Sequence, residues 1–441
     1  MMMAMVSDVK VILFCLSWAL ALPVLLGQVT SDLWSHLALL CYGALLFVIL
    51  LKVSFRMIAI ISLLLMVGYA VLGQMPTIEQ SRSAGLFVLI FAAIIPTQAI
   101  MRAVAMTMPS VDRTQKALGE LPAANTASGL QLVSHFLGGV INTGTFALIA
   151  ASQPLNAQED RRLIAALAAL RGMNSSTLWS PFFVSFAVAI AYLPPEAAWG
   201  AIGIGIITSF LFSYGSMKWF APSGEGVNLR RSLVPLQPII SRFGMVFFCV
   251  LFVSFVTGLT ALHAVVATIP LLVIVQFVRR PDTIRPVFHH FAAFLKQAGD
   301  ELLIISLSMM IAGLAGQSPI IAGAFQSLFG EALPVFVMIW VLPVIVWLGS
   351  LAGVHPVISS TPLLALFGPG LTLAEAALMM QAHMMGWCAG TMTSISSLSV
   401  LTVAEQFRLS ETRLAYSRNM VASGGLAIIG GGLMAALSFV L

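Results

Sequence analysis

Charge is what this sequence has least of. Only 8% of its 441 residues are Asp, Glu, Lys or Arg, against about 25% in soluble domains. So few charges cannot cover a water-soluble fold of this size, whereas a surface solvated by lipid needs none. Cysteine is scarce as well. Cys15, Cys41, Cys249 and Cys388 sit in apolar runs with no CxxC or Cys/His spacing, which argues against a zinc site or a disulfide frame and reads as small apolar packing. No P-loop occurs, so ATP is not the direct energy source. No Asp or Glu lies deep in an apolar run; Asp300, Glu301 and Glu375 fall near predicted helix ends. Proton coupling through a buried carboxylate is therefore not expected, and the acid/base or metal constellation of a membrane-embedded glycan or lipid enzyme is missing. The net charge of +5 has no basic cluster with interleaved aromatics behind it, which excludes nucleic acid as a partner. Basic cytoplasmic loops of a membrane protein account for it.

What the chain does have is apolar sequence, 59% of its residues. A helix needs roughly 20 apolar residues to cross the hydrocarbon core. Eleven such helices are predicted, at 11–28, 34–51, 57–75, 84–107, 163–193, 199–217, 243–261, 263–279, 302–328, 374–405 and 419–441. The first, after Lys10, is read as a retained helix and not a cleaved signal peptide. Two further apolar stretches, 126–151 and 334–367, are broken by Gly, Pro, Asn, Ser and Thr, and are predicted to be re-entrant hairpins. With the N-terminus cytoplasmic and both stretches re-entrant, only Arg82 of the 21 basic residues falls outside and only Arg171 lies deep in a span. Asp32, Glu79, Glu196 and Glu331 then occupy the outer loops. Reading either hairpin as a full crossing would move whole basic loops outside, against the positive-inside rule.

This layout contains an internal symmetry. A hairpin followed by a long interrupted helix occurs twice, in opposite orientations. The first interruption is Gly172-Met173-Asn174-Ser175-Ser176-Thr177 and the second is Gly390-Thr391-Met392-Thr393-Ser394-Ile395-Ser396-Ser397. The expected fold is thus an all-α polytopic membrane protein of two inverted-topology repeats, 1–217 and 243–441, joined by a polar cytoplasmic linker, 218–242. Discontinuous helices at matching positions point to a transporter site. Unwound backbone is costly in lipid unless it lines a polar cavity, where its freed amides, carbonyls and half-helix dipoles bind ions and solutes. Ser/Thr runs also serve as helix-packing contacts, but here two runs match in orientation and in the Gly that opens them.

On this order of elements the chain resembles the ion transporter superfamily, most closely the divalent anion/sodium symporters, with the TRAP transporter large membrane subunits as related alternatives. That family carries a Ser-Asn-Thr motif at each hairpin tip. Here the first hairpin reads Ile141-Asn142-Thr143-Gly144-Thr145 and the second reads Gly353-Val354-His355-Pro356-Val357-Ile358-Ser359-Ser360-Thr361, without an Asn. The resemblance implies an elevator motion of hairpins and broken helices against a scaffold. A TRAP-like subunit would also need a soluble binding protein.

The candidate substrate-binding residues are Asn142, Thr143, Gly144 and Thr145; Arg171; Asn174, Ser175, Ser176 and Thr177; His355, Ser359, Ser360 and Thr361; and Thr393, Ser394, Ser396 and Ser397. Arg171, about ten residues or 15 Å into its predicted span, is read as near midplane. It is either a counter-charge for an anionic solute, whose paired oxygens suit a guanidinium, or a cation capping a helix C-terminus. His135 and His383 are candidate proton relays, each with the alternative of a neutral ring satisfied by backbone. Oxygen groups near Asn142 and Asn174 offer the ligands a sodium ion takes, so the coupling ion is open between sodium and proton. Beyond a coupling ion, no cofactor is expected. Trp34, Trp199 and Trp219 fall at predicted interfaces as aromatic anchors. The expected function is ion-coupled transport of a small organic anion, carboxylate- or sulfonate-like, in a bacterial inner membrane. Membrane lipid is a partner and a homodimer is an expected assembly.

Overall fold

The computed structural model describes residues 2–29, 31–53, 55–154, 158–220, 228–315 and 333–441. Among them every regular element is a helix. In the first half these are α1 (Met2–Leu25), α2 (Asp32–Leu50), α3 (Phe55–Leu72), α4 (Ile78–Val88), α5 (Ile90–Met106), α6 (Pro109–Gly119), α7 (Ala123–Ile141), α8 (Gly144–Ala151), α9 (Glu159–Ser176), α10 (Val184–Tyr192) and α11 (Ala198–Phe220). Then follow α12 (Leu229–Leu233), α13 (Gln237–Thr257), α14 (Ala261–Arg279), α15 (Ile284–Gln297) and α16 (Asp300–Ala315). Beyond the undescribed stretch come α17 (Val335–Leu351), α18 (Pro356–Phe367), α19 (Leu373–Thr393), α20 (Leu398–Phe407), α21 (Glu411–Ala415) and α22 (Asn419–Gly425), which runs through a π-turn (Leu426–Gly430) into α23 (Gly431–Leu437).

Among the described residues, eight helices are long and apolar enough to cross a bilayer, or nine if the bent pair Pro281–Gln297 and Glu301–Leu314 forms one span. The difference from eleven lies in three places. The predicted helix 57–75 is an apolar helix only over Met57–Ala70. The predicted helix 163–193 is divided into α9 and α10. Of the predicted helix 302–328, residues 316–328 lie outside the described residues, as do Glu331 and part of the 218–242 linker.

Burial separates centre from periphery. The most apolar window is 72% buried in Ile78–Met106 and in Leu373–Phe407, but 17% buried in Leu229–Thr257. The outer helices present large apolar side chains such as Phe55, Phe255 and Val278 outward, which suits contact with lipid and would be a liability in water. Arg82 pairs with Asp32 at 2.5 Å and with Glu79 at 3.8 Å, joining α4 to α2.

Each predicted hairpin stretch holds two helices joined by a turn, and each lays its first helix along the broken helix that follows: α7 on α9, α17 on α19. Glycine permits both approaches. A Cβ on Gly172 would collide with the carbonyl oxygen of Gln131 on α7, and one on Gly390 with Ser350 Oγ on α17. The breaks have local causes. Pro181 cannot donate to a continuing helix after α9. In the second break the Ser397 hydroxyl accepts the Val400 N–H at 3.2 Å and so starts α20, the competition by which Ser ends one helix and caps the next.

Candidate functional site

The two breaks meet. Asn174, in the last turn of α9, is 2% exposed. Its Oδ1 accepts hydrogen bonds from Thr391 Oγ1 at 2.8 Å and from Ser399 Oγ at 3.0 Å, one residue on each side of the second break. Its Nδ2 donates to Leu170 O at 2.9 Å. Every hydrogen-bonding site on this amide except one N–H is thereby engaged, and the two halves of the chain are joined through one side chain.

Each hairpin also reaches its neighbouring break. In the first, Ser180 Oγ donates to Gly139 O on α7, and Ser176 packs against Gly138 and Gly139. In the second, Ser396 Oγ donates to Gly353 O in the turn at 2.9 Å and lies 2.9 Å from Ser394 Oγ. Ser397 Oγ donates to Thr391 O at 2.8 Å. The chain of contacts runs from hairpin to break to break to hairpin.

Other predicted residues lie differently. Ser359 Oγ and Thr361 Oγ1 donate to carbonyls of their own helix, Pro356 O and Val357 O; Thr393 Oγ1 likewise bonds Ala389 O. Ser360 Oγ and Thr145 Oγ1 are buried without a partner among the described residues. Ser175 Oγ donates to Gly172 O, and Thr177 is buried at the end of α9. Asn142 ends α7 with φ +53°, a conformation costly for any residue but Gly. Its side chain makes no hydrogen bond among the described residues. Thr143 completes the turn and Gly144 opens α8.

His135 is held at both ring nitrogens. Nε2 accepts from Trp179 Nε1 at 3.1 Å, so Nδ1 carries the proton and donates to Ser175 Oγ at 2.9 Å. Both ring nitrogens are thereby engaged. His383 is fully buried, with Nε2 donating to Ser185 O at 3.0 Å and Nδ1 without a partner among the described residues.

The chain matches no protein-family model and no curated protein. Its residues must therefore carry the functional argument alone.

Two arginines stand beside this assembly, Arg171 buried and Arg102 half-buried. Arg171 Nε donates to Gln131 Oε1 at 3.1 Å and Nη1 to Asn419 Oδ1 at 2.7 Å, while the guanidinium lies over the Phe220 ring at 5.0 Å. No carboxylate pairs with it among the described residues, and Nη2 makes no hydrogen bond there. Phe220 is the last residue of α11 and Asn419 the first of α22, so the guanidinium lies level with two helix ends. Phe220 and Ser216 also line an apolar groove of about 530 Å³ between α11 and α22–α23.

Arg102, on α5, is the residue that sequence reading missed as a site candidate. It packs against the tip of the first hairpin, where a Cβ on Gly144 would come 2.5 Å from its Nε. Its guanidinium lies 4.0 Å from the centroid of Phe294 on α15. Its Nε is buried and unpartnered, and no hydrogen bond from the other guanidinium nitrogens occurs among the described residues. Only proximity in space marks it out. Gln131, Asn419, Thr391 and Ser399 were legible in principle as isolated polar groups in apolar helices.

Proposed function

We propose that this chain is a secondary active transporter of a small organic anion, built from two inverted-topology repeats and working by elevator motion. The observation that carries the reading is the bridge from Asn174 to Thr391 and Ser399. It joins the helix ends that flank two breaks, each break following its own hairpin. A membrane protein has no reason to unwind two buried helices toward each other unless the freed polar groups serve a solute path.

The anionic character of the cargo rests on the arginines. A buried cation without a counter-charge costs several kcal/mol, roughly, unless dipoles or a ligand compensate it. Arg171 is compensated in part by two amide oxygens, and Arg102 by the face of Phe294. Both keep unused donors for carboxylate or sulfonate oxygens, which a guanidinium binds in pairs. Loading then adds the missing charge, and the hydrogen bonds now closed between the breaks open to receive it.

Uptake into proteoliposomes of a panel of carboxylates and sulfonates, with sodium and pH gradients imposed separately, tests this. Concentrative uptake of at least one anion under one gradient is expected. Uptake of none, by protein that is folded and inserted, removes the proposal.

A further inference from the structure

The turn of the second hairpin is anchored from two sides. Tyr416 Oη donates to Leu351 O at 3.1 Å, and Ser396 Oγ donates to Gly353 O. Two residues on, His355 is titratable and 6% exposed. Its Nδ1 accepts the backbone N–H of Val357 at 3.3 Å and caps α18. A backbone N–H can only donate, so Nδ1 is unprotonated here and the ring proton is on Nε2. That nitrogen faces Glu301 Oε1, in the first turn of α16, at 3.7 Å. This is an ion-pair distance that has not closed to a hydrogen bond.

The rest of the surroundings is poor in charge. Trp387 of α19 meets the ring edge-on, centroids 5.8 Å apart, and His383 lies against that same Trp387 at 5.6 Å. Cys388 is also on α19, and Glu375 stands at its other end, bonded to Thr372. The other arm, α17, contains no titratable residue. On α10 the one such group is Tyr192, whose hydroxyl is bonded to Met309 O. Asp300 precedes Glu301 in the chain.

We propose that His355 Nδ1, with Glu301 as counter-ion, binds the proton that couples to transport. This deepens the transport reading and rests on it for the word coupling. A proton from water takes the Nδ1 lone pair, and the only bond lost is the hydrogen bond from Val357 N–H. The imidazolium then pairs with the Glu301 carboxylate, which opposes the unfavourable positive end of α18. Proton binding thus exchanges a helix cap for an ion pair. The hairpin turn is drawn toward α16 when loaded and is held by its own cap when empty. A gradient of protons is then converted into a change in hairpin position, without a carboxylate deep in a span.

The variant His355→Asn separates titration from structure, because Asn is a strong helix cap that cannot be protonated. Ala352, exposed at the turn, is replaced by Cys in a chain whose four native cysteines are substituted, and its alkylation rate is followed between about pH 5 and 8, where histidine titrates. After correction for thiolate content, a severalfold step in rate is expected. It should vanish in His355→Asn and move to lower pH in Glu301→Gln, where the protonated ring loses its counter-ion. No step, or a step unchanged in His355→Asn, overturns the proposal. The readout does not need transport: if no anion is taken up but the step behaves as stated, the proton site stands and the transport reading falls.

Discussion

Asn174 and Thr391 are separated by 217 positions in the chain and by 2.8 Å in space. The bond between them ties the end of one broken helix to the last turn of the other before its break. Asn174→Ala removes an acceptor shared by Thr391 and Ser399. A buried polar group left unsatisfied costs about 1–3 kcal/mol, and Thr391 retains the Trp387 carbonyl as an alternative. The variant should therefore fold with a lowered melting temperature, and transport should fall more than stability accounts for. Thermal unfolding in detergent beside uptake per folded protein separates the two. Normal uptake at normal affinity would make the bridge a packing contact only.

Arg171→Lys keeps the charge and loses the fork that reaches Gln131 and Asn419. Affinity for the transported anion should drop while the protein remains folded. Arg171→Ala should weaken binding further and also destabilise, since two amide oxygens lose their donor at about 1–3 kcal/mol each. Ligand-induced thermal shift measures the affinity in both variants. If neither changes it, Arg171 is a structural cation held by amides at the ends of α11 and α22.

Arg102→Gln tests the other guanidinium. Loss of the contact with Phe294 should cost stability by about 0.5–2 kcal/mol. If Arg102 meets cargo at the first hairpin tip, the half-saturating concentration of the anion rises as well. Phe294→Leu provides the control, because it removes the same contact and leaves the charge. Equal affinities in the two variants would confine Arg102 to packing.

Two glycines should respond in opposite senses. Gly172→Ala places a Cβ against the Gln131 carbonyl, a backbone contact that cannot move aside, and should destabilise by about 1–3 kcal/mol or more. Gly244→Ala on α13 meets nothing within 4 Å and should stabilise by up to about 1 kcal/mol through helix propensity. Melting temperatures of the two in the same detergent check the sign.

Hairpin topology is open to labelling. Cysteines replacing Glu120 and Gln158, exposed beyond the two ends of the first hairpin, should react from one face of sealed vesicles. Cysteines at Pro334 and Pro369, flanking the second hairpin, should react from the other. Reaction of Glu120→Cys and Gln158→Cys from opposite faces would make 126–151 a crossing and abolish the inverted repeat.

The elements that sequence made legible are those whose cause is local. Gly, Ser and Thr interrupting an apolar run marked both breaks, and α9 and α19 end at Ser176 and Thr393, inside the predicted interruptions. Gly353 and Pro356 marked the second turn in the same way. What stayed hidden depends on contacts across the chain. Nothing near Arg102 in sequence announces the hairpin tip beside it. Nothing near Glu301 announces His355, because that pair forms only when α16 lies against α18. Arg171 was legible as a deep cation. Its amide partners were individually unremarkable.

Solute counterflow tests the central claim most directly, because it needs a site that opens alternately to both faces and does not depend on the driving ion. Proteoliposomes are preloaded with an anion that stabilises the protein thermally, then diluted into a trace of the labelled form. The account predicts transient accumulation of label above equilibrium, reduced in Asn174→Ala. Binding of the anion with no accumulation of label, in vesicles where the protein is inserted and folded, would contradict it.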